Sequence, residues 1–214
     1  HILYQMINAR GDSACERFFL PENNLIKEHQ KTKTALLSVE TQRQLSDFSV
    51  IFVMLSFEMD YDNLLTVLEL GNIKLRAEMR NEKEPLIIIG GPCATFNPEP
   101  LAAVADAFVI GEGEETVQKI LDTIYTNTSK EEKLLNLANL PGVYVPKYYT
   151  PGYNEDDEFV GMTHDERVPA KIARQWVKDI DAYPHTSAIV TSGTEFEDMY
   201  IVEAARGCGR HRRG

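Results

Sequence analysis

Short apolar runs alternate with segments of helical periodicity over the first 125 residues of the chain. Several runs, such as Val-Ile-Phe-Val-Met-Leu and Leu-Ile-Ile-Ile, are apolar at every position, as is typical of parallel strands buried on both faces. The predicted strands are Glu16–Leu20, Ala35–Val39, Val50–Leu55, Leu86–Ile89 and Ala107–Ile110. The predicted helices are Ile2–Ala9, Tyr61–Leu70, Pro98–Ala105 and Glu114–Tyr125. Strands that alternate with helices in this way indicate an open α/β sheet.

A further helix is predicted over residues 128–140, with Thr128 or Ser129 as its N-cap. Beyond it, Gly142–Pro146 predicts a short strand. At the other end of the domain, the first predicted helix has no capping residue before it. We therefore expect the domain to begin before His1, with its first strand outside this chain.

The composition changes after residue 141, where Tyr, Pro, Gly and acidic residues become frequent. We interpret residues 141–198 as an irregular extension with one or two hairpins, and Trp176 as the aromatic anchor that packs it down. The short apolar run at residues 199–205 predicts the first strand of another domain. The expected organisation is an α/β domain over residues 1–140, the extension over 141–198, and the start of a second domain over 199–214.

The charge balance is that of an acidic globular protein. The 214 residues carry a formal net charge of -11, with 43% hydrophobic and 26% charged residues. Four of the 22 basic residues lie among the last nine positions, so the rest of the chain has 18 basic residues against 33 acidic ones. Such a body repels nucleic acid, and only the basic tail leaves RNA binding open as an alternative.

Neither a membrane nor an oxidising compartment is indicated. No apolar run approaches the roughly 18 residues that a membrane span needs, and no secretory signal is recognised. Cys15, Cys93 and Cys208 lie far apart, and such an odd, sparse set is not a disulfide framework. We therefore expect a cytoplasmic protein.

Candidate ligand-binding residues follow three of the predicted strands. Ligands of open parallel sheets bind beyond the carboxyl ends of the strands. Three such ends carry polar residues or glycines, and glycines leave backbone amides accessible to a ligand. The candidate residues are Ser56, Gly90, Gly91, Pro92, Gly111, Glu112 and Gly113.

Charges near these loops restrict the class of ligand. Glu112 and Glu114 repel phosphate, and neither a Gly-x-Gly-x-x-Gly motif nor a Walker lysine is present to cradle it. A neutral ligand rich in amides or hydroxyls fits better than a nucleotide. A purely structural interpretation stays open, because Gly-Gly-Pro is a common turn and because carboxylates favour any helix N-terminus.

Cys208 is the other candidate for chemistry. It follows an apolar run that reaches Glu203, and glycines on both sides let the backbone bend sharply and approach a ligand closely. The thiol is either a ligand of a metal cluster or a small buried side chain. No Ser/His/Asp set and no His-Glu-x-x-His motif offers another catalytic centre.

The order of these motifs resembles the front half of certain radical SAM iron–sulfur proteins. The motifs are Gly90-Gly91-Pro92, Asn97-Pro98-Glu99-Pro100, Gly111-Glu112-Gly113-Glu114 and Glu203-Ala204-Ala205-Arg206-Gly207-Cys208. The resemblance extends through nearly the whole chain. It implies a flavodoxin-like or Rossmann-like domain similar to cobalamin-binding domains, then a linker, then the first strand of a truncated (β/α) barrel.

The resemblance also implies cofactors and partners. In that family the Arg-Gly-Cys segment opens a Cys-x-x-x-Cys-x-x-Cys loop, whose three thiolates ligate a [4Fe–4S] cluster. The fourth iron binds S-adenosylmethionine, and an electron from a donor such as a flavodoxin or ferredoxin starts radical chemistry on the substrate. Cys208 is thus implied as the first cluster ligand, and the protein's own barrel domain as a partner. The resemblance does not identify the substrate.

The sequence departs from that family pattern at two places. The second cluster ligand would fall at Arg212 and the third at position 215, so we expect this chain alone to be inactive. The Asp-x-His-x-x-Gly loop of base-off cobalamin domains is absent as well. Three alternatives stay open for the front domain: cobalamin held without a histidine, a degenerate domain that only packs or docks, and a non-catalytic cobalamin-binding or protein-interaction module.

Overall fold

The computed structural model describes residues 1–193 and 198–206. The chain forms two compact units. The main domain comprises Glu16–Trp176, and the terminal unit comprises His1–Cys15 together with the chain from Val177 onward. In the described ranges, no helix is both long enough and apolar enough to cross a membrane.

A four-stranded sheet forms the centre of the main domain. Its strands are β1 (Val50–Met54), β2 (Leu86–Gly90), β3 (Ala107–Val109) and β4 (Val143–Tyr144), in the spatial order β1-β2-β3-β4. The first three strands run parallel, with Phe52 opposite Ile88 and Ile89 opposite Phe108, whereas β4 is antiparallel to β3. The predicted open, mostly parallel α/β sheet is thereby confirmed.

Helices lie between these strands, as expected for an α/β sheet. Helix α1 (Ile2–Asn8) belongs to the terminal unit, and the main domain contains α2 (Asn23–Thr32), α3 (Tyr61–Leu70), α4 (Pro92–Phe96), α5 (Glu114–Ile124) and α6 (Lys130–Ala138). Helix α5 buries Val117, Ile120, Leu121 and Ile124, the spacing of a single apolar face. Helix α6 begins after Ser129, whose hydroxyl accepts a hydrogen bond from the Glu132 amide at 3.2 Å, as a capping residue does.

The core of the main domain is built around β2 and β3. The side chains of Ile87, Ile89 and Phe108 are fully buried, together with Ile120 of α5 and Leu137 of α6. Burying an aliphatic or aromatic side chain of this size contributes about 1.5–3 kcal/mol relative to leaving it exposed. The apolar runs of β2 and β3 therefore supply the buried centre of the main domain.

Strand β1 is an edge strand, although its apolar run resembles that of β2. Leu86–Ile89 are buried, whereas Val50–Val53 are only half-buried and Met54 is exposed. The reason is topological: β2 has a neighbour on each side, and β1 pairs with β2 alone. Local sequence cannot distinguish these two positions, because both runs have the same pattern.

A hairpin follows the sheet. It consists of β5 (Tyr149–Tyr153) and β6 (Phe159–His164), paired antiparallel, and it confirms the hairpin predicted for this part of the chain. Its base is anchored by Tyr149, which is buried and whose hydroxyl donates to the Pro169 carbonyl at 2.7 Å.

Two predicted strands are wrong. Glu16–Leu20 contains no strand, and Ala35–Val39 contributes only an isolated bridge between Leu37 and Gln44. Instead, the amide of Ser38 bonds the Arg43 carbonyl at 2.9 Å and that of Val39 bonds the Arg17 carbonyl at 2.9 Å. These segments therefore satisfy their backbone by a turn onto Arg43 and by a bond to the distant Arg17, and the exposed side chains of Leu37 and Val39 gain little from burial in a sheet.

The helix predicted over Pro98–Ala105 is also wrong. Only Glu99–Leu101 is helical, as one 3-10 turn. Pro100 disfavours the α conformation at the residue before it, Glu99, which is consistent with the shorter structure. Conversely, α2 was not predicted, because it buries none of its residues and so has no apolar stripe in the sequence. The short helix α4 was missed as well.

Two expectations for the later part of the chain need correction. Trp176 is not an anchor, since 62% of its surface is exposed and its ring lies under the Arg174 guanidinium, 3.8 Å from the ring centroid. Residues 199–205 do not form a strand but a single antiparallel bridge between Thr186 and Val202. The segment pairs with the chain near Thr186 through two backbone hydrogen bonds, from the Ser187 amide to the Ile201 carbonyl at 2.9 Å and from the Glu203 amide to the His185 carbonyl at 2.7 Å, and this ladder is too short for a strand.

Candidate functional site

The loops after β2 and β3 lie side by side at the carboxyl edge of the sheet, as predicted. Thr95 links them directly: its hydroxyl donates to the Gly91 carbonyl at 3.0 Å and accepts from the Gly111 amide at 3.0 Å. Ser56 follows β1 and is exposed. The structure therefore brings the two glycine loops together, and their role as ligand-binding residues stays a prediction.

Gly91 is required by the chain itself. Its φ of +99° lies in a region that favours glycine, and a Cβ at this position would lie 2.6 Å from the Leu55 carbonyl oxygen. Two hydrogen bonds hold Leu55 against the start of this loop. One is donated by the Leu55 amide to the Gly90 carbonyl at 3.0 Å, and the other by the Cys93 amide to the Leu55 carbonyl at 3.2 Å. Pro92 then starts α4 at the helix position where a missing amide hydrogen costs nothing.

The end of β3 is paired with a distant segment. We call residues 173–176 the strap. The Gln175 amide of the strap bonds the Ile110 carbonyl at 3.0 Å, and the Glu112 amide bonds the Gln175 carbonyl at 3.1 Å. This parallel bridge between Gly111 and Gln175 extends the pairing of β3 beyond the start of β4. Sequence reasoning missed the strap, because its backbone pairing leaves no side-chain pattern.

The loop after β3 leads directly into α5. Gly113 is the N-cap residue, and its carbonyl accepts the Val117 amide at 2.8 Å. Glu114 and Glu115 lie in the first turn of the helix, where their negative charge is favourable, and Glu114 is buried. Both acidic residues therefore have a structural reason for their positions.

Apolar side chains are exposed at the same edge. Met54 ends β1, Phe57 and Met59 lie in the segment that follows it, and Phe96 ends α4. This front-edge apolar surface consists of Met54 (70% exposed), Phe57 (69%), Met59 (87%) and Phe96 (85%). Exposed apolar residues that cluster in one region often mark a protein interface. The available sequence signal was that Phe57, Met59 and Phe96 are large apolar residues outside the predicted elements.

Glu99, from the Asn-Pro-Glu-Pro motif, makes a contact with the sheet. Its carboxylate accepts a hydrogen bond from the Tyr144 hydroxyl at 2.6 Å. Burial of the Tyr144 ring, together with the neighbouring Glu99 carboxylate, raises the pKa of the phenol far above its ordinary value. Tyr144 therefore stays neutral at physiological pH and acts as a hydrogen-bond donor that fixes this loop.

The opposite, amino end of the sheet contains a buried ionic cluster that sequence analysis missed. Asp106 directly precedes β3, and its carboxylate lies 2.7 Å from the Arg80 guanidinium and 3.1 Å from the Lys130 ammonium. The side chains of Arg80 and Asp106 are 0% and 2% exposed. The Ile87 amide also donates to Asp106, at 2.8 Å. The cluster joins β2, β3 and α6 and lies away from the candidate edge.

The guanidinium of Arg80 has further partners within the cluster. It donates to the carbonyls of Lys74 at 2.8 Å and Leu75 at 2.9 Å, and also to that of Val104. Buried charges are tolerated when such hydrogen bonds and an opposite charge compensate their lost hydration. These contacts assign the cluster a structural role.

No metal centre is found in the part of the chain that the structure describes, where no group of three or more His, Cys, Asp or Glu residues is able to hold an ion. Cys93 is a buried thiol of the main domain. Cys208, the predicted cluster ligand, lies outside the described residues.

The fold and its edge define a Rossmann-like α/β domain of mostly parallel type. Residues 1–146 match the family described as radical SAM proteins, N-terminal, and the chain belongs to this family. The predicted resemblance to the front part of radical SAM proteins is thereby confirmed. Membership implies a [4Fe–4S] cluster and S-adenosylmethionine as cofactors of the full-length proteins.

A relative with a longer chain was also found. The chain is 24% identical over 192 residues to an uncharacterised protein of Methanocaldococcus jannaschii. The aligned region covers 89% of this chain and 35% of the relative, so this chain spans about a third of that protein's length. No solved structure matches the chain.

Proposed function

We propose that this chain is the N-terminal, non-catalytic region of an enzyme that cleaves S-adenosylmethionine reductively and starts radical chemistry on a substrate. The observation that carries the proposal is the family match over residues 1–146. The Arg206-Gly207-Cys208 segment, which resembles the opening of a cluster loop, adds support. The cluster and its chemistry belong to the region that follows, with a flavodoxin or ferredoxin as electron donor. The sparse cysteines support the cytoplasm as its compartment.

Anaerobic reconstitution of the full-length protein with iron and sulfide tests this function. We expect a visible charge-transfer absorbance, and formation of 5′-deoxyadenosine from S-adenosylmethionine once a reductant is added. The variant Cys208→Ala should lose both signals, because two thiolates do not hold the cluster. The matched control Cys93→Ala removes a buried thiol of the main domain and should retain both. A wild-type protein that assembles no cluster contradicts the proposal.

We also propose that the main domain packs against the catalytic part of its own protein through the front-edge apolar surface. Its four side chains are 69–87% exposed, and exposed apolar residues at one edge of a domain are typical of an interaction surface. The proposal favours a docking module over a cofactor carrier. The aromatic and methionine side chains are types enriched in the core of protein interfaces.

Phe96→Asp in the full-length protein tests this docking. Because Phe96 is exposed in the main domain, we expect the domain to stay folded, whereas its packing against the catalytic part weakens and the loops around it exchange amide hydrogens faster. Val160→Asp changes an equally apolar, 65% exposed residue of the hairpin and is the control. Equal exchange at residues 54–59 and 92–97 in all three proteins would refute the interface.

A further inference from the structure

The carboxyl edge of β3 is the place where an open α/β domain usually holds its ligand. We infer that in this protein the strap takes the place of that ligand, so that the main domain binds neither cobalamin nor a nucleotide at this edge. The inference goes beyond the proposed function and does not depend on it. It concerns the main domain alone.

The backbone amides at the end of β3 already have hydrogen-bond acceptors within the protein. The amides of three successive residues donate to protein acceptors: Ile110 to the Gly142 carbonyl at 2.7 Å, Gly111 to the Thr95 hydroxyl at 3.0 Å, and Glu112 to the Gln175 carbonyl at 3.1 Å. Loops that cradle phosphates or amides need amides that point freely at the ligand. None of these three amides does so.

The strap also fills the space beside Gly111 and Gly142. A Cβ on Gly111, whose φ is +103°, would lie 2.3 Å from the Gln175 carbonyl oxygen and 2.7 Å from its amide nitrogen. A Cβ on Gly142 would lie 2.3 Å from Cγ of Gln175. The glycines that suggested close approach to a ligand are therefore needed for close approach of the strap. A ligand cannot occupy the same position while the strap is in place.

The strap has internal contacts that hold its shape. The side-chain amide of Gln175 donates to the Ala173 carbonyl at 2.9 Å, and the Arg174 guanidinium lies over the Trp176 ring at 3.8 Å. These contacts offset part of the conformational entropy that is lost when the strap is ordered. The strap is thus a built part of the sheet edge.

The residue types of the loops also disfavour both cobalamin and a nucleotide. The chain has five histidines, and none lies between residues 30 and 163, so no loop of the sheet offers an imidazole to a cobalt ion. Glu112, Glu114 and Glu115 follow β3 and disfavour the phosphates of a nucleotide. The residues present fit neither class of ligand, and this agrees with the closed edge.

Titration of the 214-residue protein with hydroxocobalamin, and separately with ATP, gives the direct test. We expect no saturable spectral or calorimetric signal with either probe. Amide hydrogen exchange is followed in the same samples, and Glu112 and Gln175 should be protected whether or not a probe is present. Saturable binding that changes the exchange of these two amides would overturn the inference, as would fast exchange of both in the free protein.

Opening the edge gives a second, independent readout. Gly111→Ala should speed exchange of the Glu112 and Gln175 amides about tenfold or more, because the added methyl group displaces the strap locally. Gly11→Ala is the matched control, since a Cβ there meets nothing within 4 Å. Unchanged exchange in Gly111→Ala contradicts the inference. If that variant does not fold, exchange and titration of the wild type still decide.

Discussion

Replacing Asp106 with Asn is expected to lower the free energy of unfolding by about 3–5 kcal/mol, because it leaves a buried guanidinium without its counter-charge. Arg80 and Asp106 are almost completely buried and 2.7 Å apart, so water cannot compensate the loss. Asn has nearly the volume of Asp, which excludes a cavity as the cause. Urea denaturation followed by circular dichroism measures the change.

Two further variants separate this effect from ordinary surface electrostatics. Glu78→Gln breaks the Arg76–Glu78 pair, whose side chains are 63% and 74% exposed, and should cost less than about 1 kcal/mol. Adding Arg80→Met to Asp106→Asn removes the orphaned charge, so the double variant should be more stable than the sum of the two single effects predicts. An Asp106→Asn variant as stable as Glu78→Gln would show that the cluster contributes little.

Gly91→Ala is expected to destabilise the main domain by about 2–3 kcal/mol, through backbone strain at positive φ and a clash with the chain. The contact is with backbone, since the new Cβ would lie 2.6 Å from the Leu55 carbonyl oxygen, and a backbone atom cannot turn aside as a side chain can. Leu55 itself is buried and held by hydrogen bonds to Gly90 and Cys93. The midpoint of urea unfolding reports the loss.

Gly11→Ala is the matched control here as well, because it has open space around the added carbon and no positive φ. It should shift the unfolding midpoint little, or raise it slightly, since alanine restricts the unfolded chain more than glycine does. Equal unfolding midpoints for Gly91→Ala and Gly11→Ala would contradict the prediction, because they would mean that the Leu55 backbone moves away from residue 91 at little cost.

The two ends of the sheet have different roles in this picture. The amino end contains the Arg80–Asp106–Lys130 cluster, which joins strands and helix α6. The carboxyl end is closed by the strap at β3 and displays apolar side chains beyond β1 and β2. These features fit the docking role proposed above for the main domain, and the chain belongs to the family of radical SAM proteins, N-terminal.

Much of the main domain was predictable from its sequence. Three runs, Val50–Leu55, Leu86–Ile89 and Ala107–Ile110, are apolar at successive positions. Such runs are typical of parallel strands, because a parallel sheet is covered on both faces. Helices α3 and α5 and the Ser129 cap follow from equally local rules. The loops after β2 and β3 lie together because strand ends of a parallel sheet share one edge, and their role in ligand binding stays a prediction.

The remaining elements depended on contacts that local patterns do not encode. Ala35–Val39 has the composition of a strand, yet its backbone is satisfied by a turn onto Arg43 and by Arg17. Asp106 and Arg80 are ordinary surface residue types by sequence, and only the packing of β2, β3 and α6 buries them. Which apolar strand lies at the edge was decided by the number of its neighbours.

The glycines after β2 and β3 show the same difference between what the sequence determines and what the tertiary structure decides. The sequence by itself determined that the backbone there must bend or be approached closely, since glycine is the residue that tolerates both. Only the tertiary structure decided what approaches it: the Leu55 carbonyl at Gly91 and the strap at Gly111, each from a distant part of the chain. A backbone contact of this kind depends on the path of the chain in space, and it cannot be predicted from the types of side chain in the sequence.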